Sequence, residues 1–435
     1  MSAGFLAHGI GARQDLPLPL DLLVQGAVLA LLASFFGLGV LWRSPRLRAG
    51  AAGWALPDAI QRIVDGAALR WLLRGLGLLA TAYVLVTALA APSDKNPLPY
   101  VVYVLFWVGM VPVSLLLGPV WRRINPLRTI HLLLAAITRI PADRGLRALP
   151  EWLGYWPAVA SLFGFVWLEL AAPDRAAVPV LLWYFACYVL IHLSAALLFG
   201  QRWFATGEGF EVYFTVIATL APLGRRDDGR LVLRNPLDGV ATLGSAPGIV
   251  ALVGVLLGAT FFDTISGSAE WGLAVQRLPV SRVVIATAGL LVTIGVVALT
   301  FAGATALAGR AGDRGRRSVP GLLAHTIVPI VAGYVIAHYF SFLIFEGQQA
   351  IALLTDPLSA RPQISGAINY GLVTATGIAL VQVIAVVIGH ILAVISAHDR
   401  SVALFPKADA IIGQLPLMVL MVGYTVGGLT LLFAA

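Results

Sequence analysis

The 435-residue sequence predicts an all-α polytopic membrane helix bundle of about ten transmembrane helices, on three observations. Its hydrophobic fraction is 59% and its charged fraction 11%, where soluble chains carry about 25% charged residues. Its mean hydropathy is +0.89, a value that one anchor on a soluble enzyme cannot produce. Apolar runs of about 20 residues, long enough to cross a bilayer as helices, recur along the whole chain. Residues 1–435 therefore read as a single integral membrane domain with the lipid bilayer as its first partner.

The expected spans are Leu20 to Trp42, Trp71 to Ala91, Tyr100 to Trp121, Trp152 to Ala171 and Val178 to Phe199, then Ile249 to Ile265, Val283 to Ala308, Val319 to Phe345, Leu372 to Ala397 and Leu415 to Phe433. Of the 29 Lys and Arg, 22 fall in loops one, three, five, seven and nine, 6 fall on the other side, and Arg74 lies inside span two. Cytoplasmic loops carry the excess of basic residues. Both termini are thus expected on the periplasmic or extracellular side, and a bacterial cytoplasmic (inner) membrane is the expected location. Met1 to Leu18 shows no basic segment followed by an apolar core, so the first span is expected to insert itself.

The longest cytoplasmic loop, residues 200–248, holds the apolar stretch Phe210 to Leu223, too short to cross, which reads as an interfacial or re-entrant helix. Trp271 to Leu278 is a similar stretch on the outer face. One internal echo is visible. Gly118-Pro119-Val120-Trp121 followed by Asn125-Pro126-Leu127-Arg128 resembles Gly200-Gln201-Arg202-Trp203 followed by Gly209-Phe210-Glu211, as a duplicated helical hairpin or two chance helix ends would give.

The composition also excludes classes. The net charge of +8 is spread over short loops between apolar runs, which removes a nucleic-acid partner. The single Cys187 allows neither an internal disulfide nor a CxxC site. No phosphate-binding lysine loop, dinucleotide glycine fingerprint or Gly-x-Ser-x-Gly elbow occurs in a fitting context. Gly254-xxx-Gly258 and Gly423-xxx-Gly427 read as close-packing helix faces.

Ionisable side chains at membrane depth are costly and point to function. Asp21, Glu169, Asp263, His338 and Glu346 fall toward the outer ends of their spans, with His8 and Asp15 in the segment before span one. Carboxylate and imidazole are the groups that hold a divalent metal or carry protons. Asp263, His338 and Glu169 are therefore the catalytic candidates, and His338, Asp263, Glu346 and His8 the metal candidates. His338 and Glu346 stand about 80° and about 12 Å apart on one helix, so any metal site must draw on several spans. His192, His325 and His390 lie toward the inner half and suggest a proton relay, with His398-Asp399-Arg400 as an inner helix end.

Several stretches resemble a bacterial family of polytopic membrane proteins known as fenitrothion hydrolase. They include Ala7-His8-Gly9-Ile10-Gly11, Asn125-Pro126-Leu127-Arg128-Thr129, Leu153-Gly154-Tyr155-Trp156-Pro157, Gly200-Gln201-Arg202-Trp203-Phe204, Leu233-Arg234-Asn235-Pro236-Leu237-Asp238, Phe262-Asp263, Ala337-His338-Tyr339, Glu346-Gly347-Gln348 and Val422-Gly423-Tyr424-Thr425-Val426-Gly427-Gly428. The resemblance implies cleavage of a lipophilic organophosphorus triester by paired, related membrane subunits. It supplies no catalytic residues, and the HxH pairs of soluble metal-dependent phosphotriesterases are missing from the sequence. The alternatives from the residues themselves are a metal- or proton-coupled transporter, or a non-catalytic subunit of a membrane complex, as a hetero- or homo-oligomer.

Overall fold

The computed structural model describes residues 16–92, 95–309, 315–358, 368–406 and 412–434. His8 and Asp15 lie outside the described residues. Among the described residues, ten helices are long and apolar enough to cross a membrane. They are α1 (Leu20–Leu41), α3 (Ala67–Ala90), α4 (Leu98–Leu117), α6 (Glu151–Leu170), α7 (Val178–Phe199), α9 (Ile249–Ser266), α10 (Arg282–Leu307), α11 (Val328–Thr355), α12 (Ala375–Leu404) and α13 (Leu415–Ala434). Shorter helices between them include α2 (Asp58–Asp65), α5 (Pro126–Thr138) and α8 (Gly209–Ala218), and Ala269–Arg277 forms another over the stretch expected on the outer face.

Helix ends differ from expectation where backbone chemistry intervenes. The third span stops at Leu117, because Gly118 takes φ +83° and Pro119 follows. The eighth runs on to Thr355 and the ninth to Leu404, so Glu346 sits nine residues inside its helix and not at the outer end. The inner loops interlock at one end of the bundle. A three-stranded antiparallel sheet pairs β1 (Trp54–Ala55) of loop one with β3 (Leu231–Leu233) of loop five, and β3 with β2 (Leu223–Arg225). Asp399 at the end of α12 accepts from Trp42 Nε1 (2.9 Å) and from the Arg46 (2.6 Å) and Leu47 (3.2 Å) amides of loop one. His398 bonds Gln414 Oε1 and the Trp42 carbonyl. Thus His398-Asp399, on α12, clamps loop one and the loop before α13 to the end of its helix.

Burial is uneven, and that sets the centre of the bundle. In the apolar stretches of α9 and α11, 72% and 78% of residues are buried, against 17% in α1, α3 and α10. α9 reaches α10 through small residues: a Cβ on Gly254 would stand 2.9 Å from Ala298 Cβ, and one on Gly258 2.6 Å from Ile294 Cα. Gly423 and Gly427, expected to pack in the same way, have nothing within 4 Å. Gly258→Ala is therefore expected to push α9 off α10 and cost about 1–3 kcal/mol, whereas Gly423→Ala is neutral. Thermal unfolding of the two variants in detergent, side by side, checks this.

Candidate functional site

The central helices bring two of the expected residues into contact. Asp263 lies one turn from the end of α9, and His338 eleven residues into α11; they are 4% and 1% exposed. His338 Nε2 is 2.9 Å from Asp263 Oδ2, and the Tyr339 hydroxyl donates to the same oxygen at 2.8 Å. Successive helix positions 338 and 339 reach one carboxylate because Asp263 projects from the neighbouring helix between them. Thr264 Oγ1 lies 3.3 Å from His338 Nδ1, 3.2 Å from the Tyr334 hydroxyl and 3.1 Å from the Thr260 carbonyl.

Thr264 has one hydrogen to give. Donated to the Thr260 carbonyl, it leaves Thr264 Oγ1 to accept from Nδ1–H of His338, and with Nε2–H donating to the Asp263 carboxylate as well the ring is then a cation. Turned toward Nδ1, with Tyr334 donating to Thr264, it suits a neutral ring. The cluster therefore satisfies both charge states of His338 by rotating hydroxyls, with no heavy atom displaced.

Glu169 belongs to the same region. It is buried near the end of α6, within electrostatic reach of Asp263 and Arg175. It also lines a small pocket with Trp107, Thr260 and Tyr339, with room for roughly one water molecule. Trp107 is placed there by an unusual stretch of α4, which winds as a π-helix over Val101–Val108, the Gly109 amide reaching the Val104 carbonyl at 2.8 Å. Such widened turns commonly mark functional places. Glu346 is half-buried elsewhere on α11, near Tyr100. Among the described residues, no group of three or more His, Cys, Asp or Glu gathers to hold a metal ion; of the four metal candidates, Asp263 and His338 meet, Glu346 is apart, and His8 is not described.

The inner-half histidines take separate partners. His192 Nδ1 accepts from Trp203 Nε1 (3.0 Å), which leaves Nε2–H to donate to Ser161 Oγ (3.2 Å) and fixes a neutral ring. His390 Nδ1 donates to the Val386 carbonyl (2.8 Å), and His325 lies near Arg400 at the inner end of α11.

A second buried cluster was not among the expected sites. Glu208 caps α8, accepting from the amides of Phe210 (3.1 Å) and Glu211 (2.8 Å) and from the Tyr188 hydroxyl. Glu211 receives a bidentate pair from Arg128 at 2.6 Å and 2.6 Å. Asn125, the cap of α5, points its amide at both carboxylates, 3.2 Å from Glu208 and 3.4 Å from Glu211. The carboxylates are 0% and 1% exposed. Arg128 compensates Glu211, while neutral donors serve Glu208; burial, then the charge of Glu211, pushes the Glu208 carboxyl up to about 7. The sequence signal was present in the echo of the two Gly-xx-Trp ends. Each leads through a one-turn helix to a capped helix, Val120–Ile124 to Asn125 and Arg202–Thr206 to Glu208, and the two caps touch.

Comparison with protein-family models, curated proteins and solved structures finds no match.

Proposed function

We propose that the protein is a proton-coupled membrane transporter whose proton-binding centre is Asp263, His338 and Tyr339, with Glu169 beside it. One observation carries this reading: a buried carboxylate–imidazole pair in the two most enclosed helices, held by hydroxyls that serve either charge state of the ring. Ionisable groups so placed are kept in membranes where protons or ions pass. Divalent cations are the other cargo the sequence suggests, with Asp263 and His338 as the ligands in contact.

The test is proton movement in reconstituted vesicles that hold a pH dye, under an imposed potassium diffusion potential, with and without a zinc or manganese gradient. Lumenal pH should change about tenfold faster than in protein-free vesicles, and Asp263→Asn should abolish the difference, about 1.4 kcal/mol per tenfold step in rate. Flux equal to protein-free vesicles under every gradient overturns the reading.

The second reading is hydrolysis of a lipophilic phosphotriester, as the resemblance to the fenitrothion hydrolases implies, with a related membrane subunit as partner. The water-sized pocket against Glu169 favours it. Both His338 nitrogens are engaged, so Glu169 would be the base that activates water. Nitrophenol release from an aryl phosphotriester in lipid nanodiscs, abolished by Glu169→Gln, would replace transport by hydrolysis.

A further inference from the structure

Along the face of α12 turned into the bundle runs a series of buried polar atoms without a partner among the described residues. Gln382 is 0% exposed, and neither its amide oxygen nor its nitrogen meets a hydrogen-bonding group. Below it follow His390 Nε2, Ser396 Oγ and Ser401 Oγ; on α11, three residues beyond His338, Ser341 Oγ is likewise without a partner. At 100° per residue these α12 positions share an arc of about 140°, opposite the exposed Leu380, Ile384 and Ile388.

The crossing of the two helices fixes where the series starts. A Cβ on Gly333 would meet the Ala385 carbonyl at 2.4 Å, and one on Gly389 the Pro329 carbonyl at 2.7 Å. That antiparallel register sets Gln382 level with the turn of α11 that carries His338. Ser401 lies 19 residues on, about 28 Å along the helix, at the end clamped to the inner loops.

The chemistry of the lining selects the occupant. A buried amide with neither partner is among the costliest groups a membrane helix can carry. Because His390 Nδ1 donates to the Val386 carbonyl, a neutral ring leaves Nε2 as a bare acceptor that calls for a donor. Gln382 calls for a donor and an acceptor together. The series is neutral throughout, without a carboxylate to hold a metal ion. Water is the one small ligand that gives and accepts at every step.

We propose that a file of water molecules, on the order of ten at hydrogen-bond spacing, threads the α11–α12 face from the level of His338 to the inner end at Ser401. It deepens the proton-transport reading, which supplies its purpose, as the inner half of the path; its existence rests on the unpartnered atoms alone.

Accessibility to a small thiol-seeking ion tests it. In a Cys187→Ala background in nanodiscs, Ser396→Cys and Ser341→Cys should react with silver ion at least about tenfold faster than Ala393→Cys, an equally buried but apolar-flanked position. Equal rates at all three positions overturn the file. In the unsubstituted protein, pulsed radiolysis in isotopically labelled water should oxidise His390 well above Phe301, which is also buried; background oxidation of His390 overturns the file as well, without relying on any variant folding. Fast labelling with no proton flux leaves the file standing and removes the transport reading, and the reverse result removes the file.

Discussion

Replacing Arg128 by methionine is expected to destabilise the protein by about 3–5 kcal/mol, the cost of leaving a buried carboxylate without its cation. Glu211 is 1% exposed and receives both of its strong donors from the Arg128 guanidinium, itself seated over the Phe204 ring. Arg122 stands 3.8 Å away on an exposed side chain and cannot replace a bidentate contact. Arg128→Met with Glu211→Gln should recover most of the loss, since removing both charges removes the desolvation penalty with the attraction. Thermal midpoints of the two single variants and the double variant form the cycle. A single Arg128→Met variant as stable as the parent would show that the pair carries no net energy.

The second large effect is pH-dependent and belongs to Glu208. Its carboxyl is raised from 4.5 to about 7 by burial, then by the charge of Glu211. The folded state therefore binds this proton more tightly than the unfolded state does. The stability so gained is fully present below the unfolded value of 4.5 and is lost as pH rises through 7, amounting to about 3 kcal/mol. The thermal midpoint should fall between about pH 5 and pH 8. Glu208→Gln removes the titrating carboxyl and keeps one carbonyl oxygen for Tyr188 and the Phe210 amide, at the expense of the Glu211 amide, so it should flatten the profile. A slope unchanged by Glu208→Gln would assign the effect to another group.

The spans were legible because crossing a bilayer is a local property: twenty apolar residues satisfy it wherever their neighbours lie. Asp263 and His338 were legible for the same reason, as polar groups deep in apolar runs, but their contact was not, since it depends on how α9 and α11 cross. Glu346 resembled them in sequence and sits about 80° around the helix, toward Tyr100. Glu208 and Glu211 were passed over because acids in a basic inner loop look solvated; the loop instead folds α8 back among α4, α6 and α7, burying nine of its ten residues. Arg128 was counted as a topology charge, and the cap that Asn125 forms three residues before it came to light only in the fold.

That inward fold of α8 bears on how the chain is made. A helix of ten residues, about 15 Å long, with a carboxylate at its cap and another in its first turn, is too short and too polar to leave the translocation channel sideways as a span. It can take its place only after α4, α6 and α7 have assembled around the cavity it fills, with Arg128 already waiting for Glu211. Insertion of the ten spans and completion of the core are thus separate events in biogenesis. A nascent chain halted just beyond α7 would have its first five spans in place, yet would carry an arginine still waiting for Glu211.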